Sequence, residues 1–414
     1  MAAVSYELKS QARCLAAVEG DSDRSRFLVS TLNLRAPNEL HVVEFSEDTN
    51  ELLPIAVYAA PHETWGLAAC PLPAHASKLL AVLNDNGAAH YAALTSVPVL
   101  DADDLGAPPR AGATPLAPLP ETVRLVPSAG SGAAHGLLRH ALWTPSEDAS
   151  SAVTVQPGAL CLWPLDRGDG TPSASASCTA AAAFGAPTPG GPDGCIESAC
   201  CDLHHVHTIA LGSAAGAIST VDLRTMKAAV ALPNAHRSCV RVLAYNPNRP
   251  YALLSAGDDG AMKFWDLRRA KAITDAAAAQ SAAPAAAGAA PAAAGGACML
   301  RLGGVHLHWT TCALFNRFHD QLVLTAGTDA AVKLWRVSSV SSAPPSSEPL
   351  DADDGDGERD GDKDGLVRSL SEHDESVYSI VWSAADAWLF ASLSLDGKLC
   401  AHYVPAAEKY RILL

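Results

Sequence analysis

Three times along this chain a histidine, a small hydroxyl residue and an aspartate stand at the same distances from one another. The sets are His236, Ser255 and Asp259; His306, Thr325 and Asp329; and His373, Ser392 and Asp396. An imidazole between a carboxylate and a hydroxyl is the constellation of nucleophilic acyl transfer, in which the histidine takes the hydroxyl proton and the carboxylate orients the ring. An active site, however, is built once, and three copies at identical offsets are what a structural repeat produces. Twenty-nine residues after the histidine the first two copies carry Trp265 and Trp335, whereas His402 breaks the pattern in the third. The set therefore reads as a buried hydrogen-bond chain: the aspartate accepts from the imidazole, and the indole N–H finds the hydroxyl. Buried polar groups must be paired, so such a chain fixes how three strands register.

The elements that hold these residues read as short strands. Leu253-Leu254-Ser255-Ala256 and Leu322-Val323-Leu324-Thr325 are apolar runs bounded by turn residues, and Asp258-Asp259-Gly260 is a hairpin signal leading into Ala261–Trp265. Nine residues after each histidine stand Tyr245, Phe315 and Trp382. The unit matches the WD40 repeat, one four-stranded blade of a β-propeller. Weaker copies lie upstream. His135 and Trp143 open one in which Pro157 stands at the turn-aspartate position, so that blade is expected to lack its polar chain. Leu211–Asp222 is another, with Ala215 and Val221 at the aspartate and tryptophan positions. Trp65–Pro71 with Leu79–Leu83, and Arg26–Ser30 with Glu39–Phe45, supply two more. The expectation is an all-β chain, a single seven-bladed propeller spanning residues 1–414.

Four low-complexity stretches interrupt the pattern: 101–122 (Pro/Ala-rich), 166–194 (Ser/Ala/Gly/Pro-rich), 268–303 (Ala-rich) and 337–370 (acidic). They read as disordered insertions that cannot bury enough surface to offset chain entropy. Without them 293 of 414 residues remain, about 42 per blade, within the usual period of the repeat. Any helix in the Ala-rich stretch should stop before Pro284 and Pro291. Residues 351–365 hold eight acidic and two basic side chains, a solvated loop able to steer a basic partner at long range.

Composition bounds the setting. No segment reads as a signal peptide or a membrane span, and eleven scattered cysteines suit reduced thiols. A net charge of −15 argues against nucleic acid and anionic lipid as direct partners. A soluble, monomeric, cytoplasmic protein with no cofactor is expected. Asp360-Gly361-Asp362-Lys363-Asp364-Gly365 opens like a calcium loop, but the twelfth position is Ser371 rather than a bidentate glutamate, with Glu372 one place late. Cys195, Cys200, Cys201, His204, His205 and His207 are dense in zinc-type ligands, yet strand alternation splits them between two faces. No Gly-rich phosphate loop, nucleophile elbow or paired carboxylate motif stands clear of the repeats. An enzyme finds no support.

Several segments resemble one WD40 family in particular, the EARP and GARP complex-interacting proteins. They are Glu372–Tyr378, Trp388–Ser394 and the ending Lys409–Leu414, with Asn234-Ala235-His236, Phe264-Trp265-Asp266, Asp320–Thr325, Gln11-Ala12-Arg13 and Arg26–Val29. The resemblance implies a non-enzymatic adaptor that binds subunits of the endosome-associated recycling and Golgi-associated retrograde tethers. Such a protein helps recruit them, in recycling and in retrograde transport to the trans-Golgi network, and is itself peripherally recruited to those membranes. Its partner surface is expected around one mouth of the ring, where Trp65, Arg241, Asp258, Trp309, Tyr378 and Leu395 fall. Exposed aromatics and arginine favour that role, although Trp65 and Trp309 could equally be packing between blades. A second reading comes from Trp265-Asp266-Leu267-Arg268, which matches the W-D-x-R pattern of cullin-4 ubiquitin-ligase substrate receptors, and from Val221-Asp222-Leu223-Arg224, which repeats its D-x-R part. There Arg268 would dock the ligase adaptor; the bland alternative is a solvated arginine at a strand end.

Overall fold

The computed structural model describes residues 4–33, 37–85, 90–101, 114–127, 137–165, 173–184, 195–281, 294–343 and 364–414. Its strands form seven four-stranded antiparallel sheets, and each sheet is one blade. Within a blade the chain runs from the inner strand outward. Blade one is Ala12–Ala17, Arg26–Thr31, Asn38–Ser46 and Glu51–Ala60, and the next five follow in sequence order. The last blade departs from this rule. Val377–Trp382, Leu389–Ser394 and Lys398–Tyr403 supply three strands, and the N-terminal strand Val4–Glu7 pairs with Lys398–Ala401 as the fourth. The N-terminal strand thus supplies the outer strand of the last blade and closes the ring there.

Seven apolar clusters hold the described ring together, and each spans two adjacent blades. Leu80, Val82, Trp143 and Trp163 join blades two and three; Phe264, Phe315 and Trp335 join five and six. Leu15, Phe27, Leu393 and Leu399 join blade seven to blade one and bring in Tyr6 of the closing strand. Second strands such as Ala252–Gly257, Leu322–Gly327 and Leu389–Ser394 are buried along their whole length. That is why they read as continuous apolar runs rather than as alternation.

The low-complexity boundaries drawn from sequence are too wide. Outer strands lie inside three of the four stretches: Ala176–Thr179, Cys298–Gly303 and Gly365–Leu370. The outer strand Glu121–Leu125 begins within the fourth, and Leu116 bridges to Tyr58. A strand with one solvated face and small residues carries little hydrophobic signal, so composition hid it. Helices also occupy these ranges, at Ala180–Phe184 and Leu267–Ser281, the latter ending three residues before Pro284. Residues 102–113, 166–172, 185–194, 282–293 and 344–363 of the four stretches, the last including the calcium-loop residues Asp360 to Lys363, lie outside the described residues, as does His135.

The interruptions of blades two, five and six, and the first part of that of blade three, lie between the third and fourth strands, whereas the helix Ala180–Phe184 follows the fourth strand of blade three. In an antiparallel blade the first-to-second and third-to-fourth connections lie on one face of the ring. The second-to-third turns and the blade-to-blade links lie on the other. The connections between third and fourth strands therefore depart from one face, and the Asp258-Asp259-Gly260 turn belongs to the opposite one.

Candidate protein-interaction site

Each repeated polar set closes inside its own blade. In blade five His236 Nδ1 donates to Asp259 (2.9 Å), Ser255 Oγ bonds His236 Nε2 (2.7 Å), and Trp265 Nε1 donates to Ser255 Oγ (2.8 Å). Blade six repeats this with His306, Asp329, Thr325 and Trp335 at 2.8, 2.9 and 2.9 Å. Burial alone would raise the Asp259 carboxyl, but the His236 hydrogen bond and two backbone N–H donors bring it well below the usual range. The hydroxyls of Ser255, Thr325 and Ser392 belong to fully buried residues, so no substrate reaches them.

Blade seven keeps the chain with altered parts. Ser394 Oγ donates to Asp396 and lies 2.9 Å from His373 Nδ1, which places the imidazole proton on Nδ1. His373 Nε2 must then accept from Ser392 Oγ (2.7 Å), which leaves Ser392 accepting from His402 Nε2 (3.1 Å). His402 thus does the work of the missing indole, and the break read from sequence is a replacement of one N–H donor by another. Burial holds the His373 imidazole down to about 4 and the His402 imidazole to about 3, so both are neutral, as the chain requires. Together with Cys400 these two are the one group of three metal-type ligands whose donor atoms converge within 4.8 Å among the described residues. Both nitrogens of His373 and Nε2 of His402 are engaged with serine hydroxyls, and burial pushes the Cys400 thiol up to about 12.

Blade three corrects a second expectation. Pro157 removes the turn aspartate, yet Trp163 Nε1 still donates to Thr154 Oγ1 at 2.7 Å, so the inner half of the polar chain survives. Of the zinc-type residues, His204 Nε2 bonds the Asn246 carbonyl (3.1 Å) and His205 Nδ1 bonds Asp202 (2.9 Å), and no three converge. Asp364 is engaged by the Ser339 N–H at 3.0 Å.

The central channel opens at one end into a cavity of about 480 Å³, and the repeat builds its rim. In six blades the pairing of the first two strands slips by one residue near the start of the inner strand: between Ala12 and Cys14, Thr64 and Gly66, Ile196 and Ser198, Val240 and Val242, Thr310 and Cys312, and Val377 and Ser379. A residue left out of the ladder bends the strand and re-aims a side chain. The six residues so displaced are Arg13, Trp65, Glu197, Arg241, Thr311 and Tyr378, and all of them line the mouth. In the strong repeats they stand five residues after the histidine, as Arg241, Thr311 and Tyr378.

The expected partner residues separate on this geometry. Trp65, Arg241, Trp309 and Tyr378 line the mouth, with Trp65 36% and Trp309 49% exposed. Asp258 stands behind Arg241 and grips its guanidinium at 2.9–3.1 Å. Leu395 lies on the same face, its backbone tied to Ser376 and Ala12 at 3.0 and 3.1 Å. Arg268 is elsewhere: it follows the third strand of blade five on the insertion-bearing face, 61% exposed and bonded to Asp266. Arg224 repeats that arrangement with Asp222. Sequence reasoning missed Arg13, Glu197 and Thr311 as site residues; the five-residue offset was the available signal for Thr311.

Arg13 is the centre of this rim. Its guanidinium lies 4.9 Å from the ring centres of both Trp65 and Tyr378, so side chains of blades one, two and seven form one stack. Arg241 lies 5.4 Å from the Trp309 ring. Such contacts hold a cation without neutralising it.

Comparison with known proteins accords with the closed ring and its repeats. Residues 1–105 match the family described as EIPR1 beta-propeller, and residues 229–266 and 365–401 match the WD domain, G-beta repeat. An EARP-interacting protein homolog of Gekko japonicus is 30% identical over 423 residues, covering 100% of this chain and 99% of its own. This chain belongs to the EARP and GARP complex-interacting protein family. EARP and GARP complex-interacting protein 1 of Homo sapiens is likewise 30% identical over 425 residues, with the same coverage. A WD repeat-containing protein of Arabidopsis thaliana, DWA2, is 29% identical over 396 residues, or 96% of this chain and 95% of its own. Among the described residues no helix is long and apolar enough to cross a membrane.

Proposed function

We propose that this chain is a non-enzymatic adaptor that binds the endosome-associated recycling and Golgi-associated retrograde tethering complexes. It aids their recruitment in endosomal recycling and in retrograde transport to the trans-Golgi network, acting from the cytoplasm and held at those membranes by its partners. The observation that carries this reading is the end-to-end match to relatives named for interacting with those complexes. The physical form suits the role. A closed ring has a rigid rim and sides, so one propeller holds two partners in fixed relation. The reactive-looking His/Ser/Asp sets are buried and fully bonded, which leaves them structural.

Affinity capture of tagged full-length protein from its own cells, followed by mass spectrometry, tests the proposal. Recovery of tether subunits is expected, with loss of tether from endosomal and Golgi membranes when the protein is depleted. Absence of every tether subunit would overturn it. One observation favours a second activity, ubiquitin-ligase substrate reception: Arg268 and Arg224 are both solvent-facing and held by the aspartate two residues earlier. Arg268→Ala should then abolish capture of the cullin-4 adaptor while leaving tether capture intact; unchanged adaptor capture would refute that reading.

A further inference from the structure

The mouth carries more information than its place in the ring. Its lining contains three arginines, Arg13, Arg139 and Arg241, against a single acidic residue, Glu197, in a chain whose net charge is −15. Two of the arginines are satisfied, Arg139 by Glu197 at 3.1 Å and Arg241 by Asp258. Arg13 is not. Its guanidinium has neither an ion pair nor a hydrogen bond among the described residues, only the two flanking rings. Rings cover the faces of a guanidinium and leave its N–H edges open, and those edges form the fork that matches a carboxylate. A half-buried cation without an acceptor favours any partner that brings one.

We infer that this mouth takes an acidic segment of a protein partner, one carboxylate of which pairs with the N–H edges of Arg13. The inference rests on the adaptor reading and names the chemistry of its contact. The surplus of arginine steers acidic chains toward the opening and turns basic ones away. A cavity of about 480 Å³ admits a few side chains of an extended segment. Exposed Trp65 and Trp309 on the rim offer apolar surface that excludes water from the ion pair. The chain's own acidic stretch is anchored on the other face, between the third and fourth strands of blade six.

Fluorescence anisotropy with full-length protein tests the inference. The probes are a fluorescein-labelled twelve-residue peptide of alternating glutamate and leucine, its glutamine counterpart, and a twelve-residue oligothymidylate. The glutamate peptide should bind at least tenfold tighter than either control. Its affinity should fall severalfold between 50 and 300 mM NaCl, a test that needs no variant. Arg13→Gln should remove the preference, and Arg13→Lys, which keeps the charge but loses the fork, should weaken binding severalfold. Equal binding of the glutamine peptide, tighter binding of the oligonucleotide, or a preference that survives Arg13→Gln in folded protein would each overturn the inference. Full chain with the eight acidic residues of 351–365 changed to Asn and Gln should bind the peptide as before; a tenfold gain would mean that this stretch is itself the occupant. Tether capture separates the two readings. Capture by wild type and its loss in Arg13→Gln supports both. Capture that survives Arg13→Gln keeps the adaptor and overturns the acidic dock. No capture at all overturns the adaptor, and the peptide titration still decides the dock.

Discussion

Replacing His402 with glutamine should make the protein less sensitive to acid without much changing its stability at neutral pH. In blade seven His402 Nε2 donates to Ser392, which donates to His373. Both imidazoles are buried, and burial lowers their pKa values to about 3 and about 4 from the ordinary 6.5. The unfolded chain takes up protons near pH 6.5, whereas the folded chain refuses them until pH 3–4. Below pH 6.5 the unfolded state therefore binds more protons, and stability present above that value is lost as pH falls. At pH 5.0 the unfolded ring of His402 is almost fully charged and the folded one almost fully neutral, a gap of about 1.5 pH units. At 1.36 kcal/mol per unit this is about 2 kcal/mol for His402 alone. Glutamine cannot titrate, yet its amide N–H can still donate to Ser392. Urea titrations of both proteins at pH 7.5 and 5.0 should place the variant within about 1 kcal/mol of wild type at the higher pH. Relative to wild type it should gain about 2 kcal/mol at the lower. Parallel loss of stability in the two proteins would refute the assignment of His402 as a neutral stand-in for the indole.

Three further outcomes follow from the same geometry. Thr325→Val removes the hydroxyl between His306 and Trp335 and leaves both without their buried partner, so a loss of about 2–4 kcal/mol is expected in thermal or urea unfolding; Thr154→Val, which orphans Trp163 alone, should cost about half as much. Ala330 holds a positive φ of 60° at the turn position occupied by Gly260 and Gly397 in blades five and seven, so Ala330→Gly should stabilise by about 0.5–1 kcal/mol, read as a raised melting temperature. Trp309→Ala with Tyr378→Ala should weaken tether capture while leaving the melting temperature nearly unchanged, since both side chains face the mouth; loss of folding would mean that these rings are core.

Much of the fold was legible because its strongest signals are geometric necessities. A buried histidine, hydroxyl and tryptophan must meet, so their spacing exposes strands two and three of a blade directly, and the count of seven followed from periodicity. The outer strands were not legible. Cys298–Gly303 and Gly365–Leu370 leave one face in solvent, and they directly follow Ala-rich and acidic stretches that composition assigns to loops. Only pairing with Ala261–Trp265 and Val332–Arg336 defines them, and pairing is not a property of a single segment.

The candidate site shows the same division at the level of single residues. Trp65, Arg241 and Tyr378 were found by chemical type, because an exposed aromatic or arginine near a turn draws attention. Arg13 was not, since nothing in Gln11-Ala12-Arg13 distinguishes it until the ring closes and brings Trp65 and Tyr378 to its two faces. What unites the rim is a backbone irregularity: one residue per inner strand falls out of register in six blades, and each aims into the channel. The buried chain and the rim are thus two products of one repeat, at different offsets. The first requires a matching donor or acceptor at each position, because hydrogen bonds must be satisfied, so that only an equivalent N–H donor such as His402 can replace Trp265 or Trp335. The second fixes only a position and leaves the side chain free to differ, as Arg241, Thr311 and Tyr378 do. A propeller acquires a specific partner by varying the second set while holding the first, so binding residues are read from the position that the structural residues define.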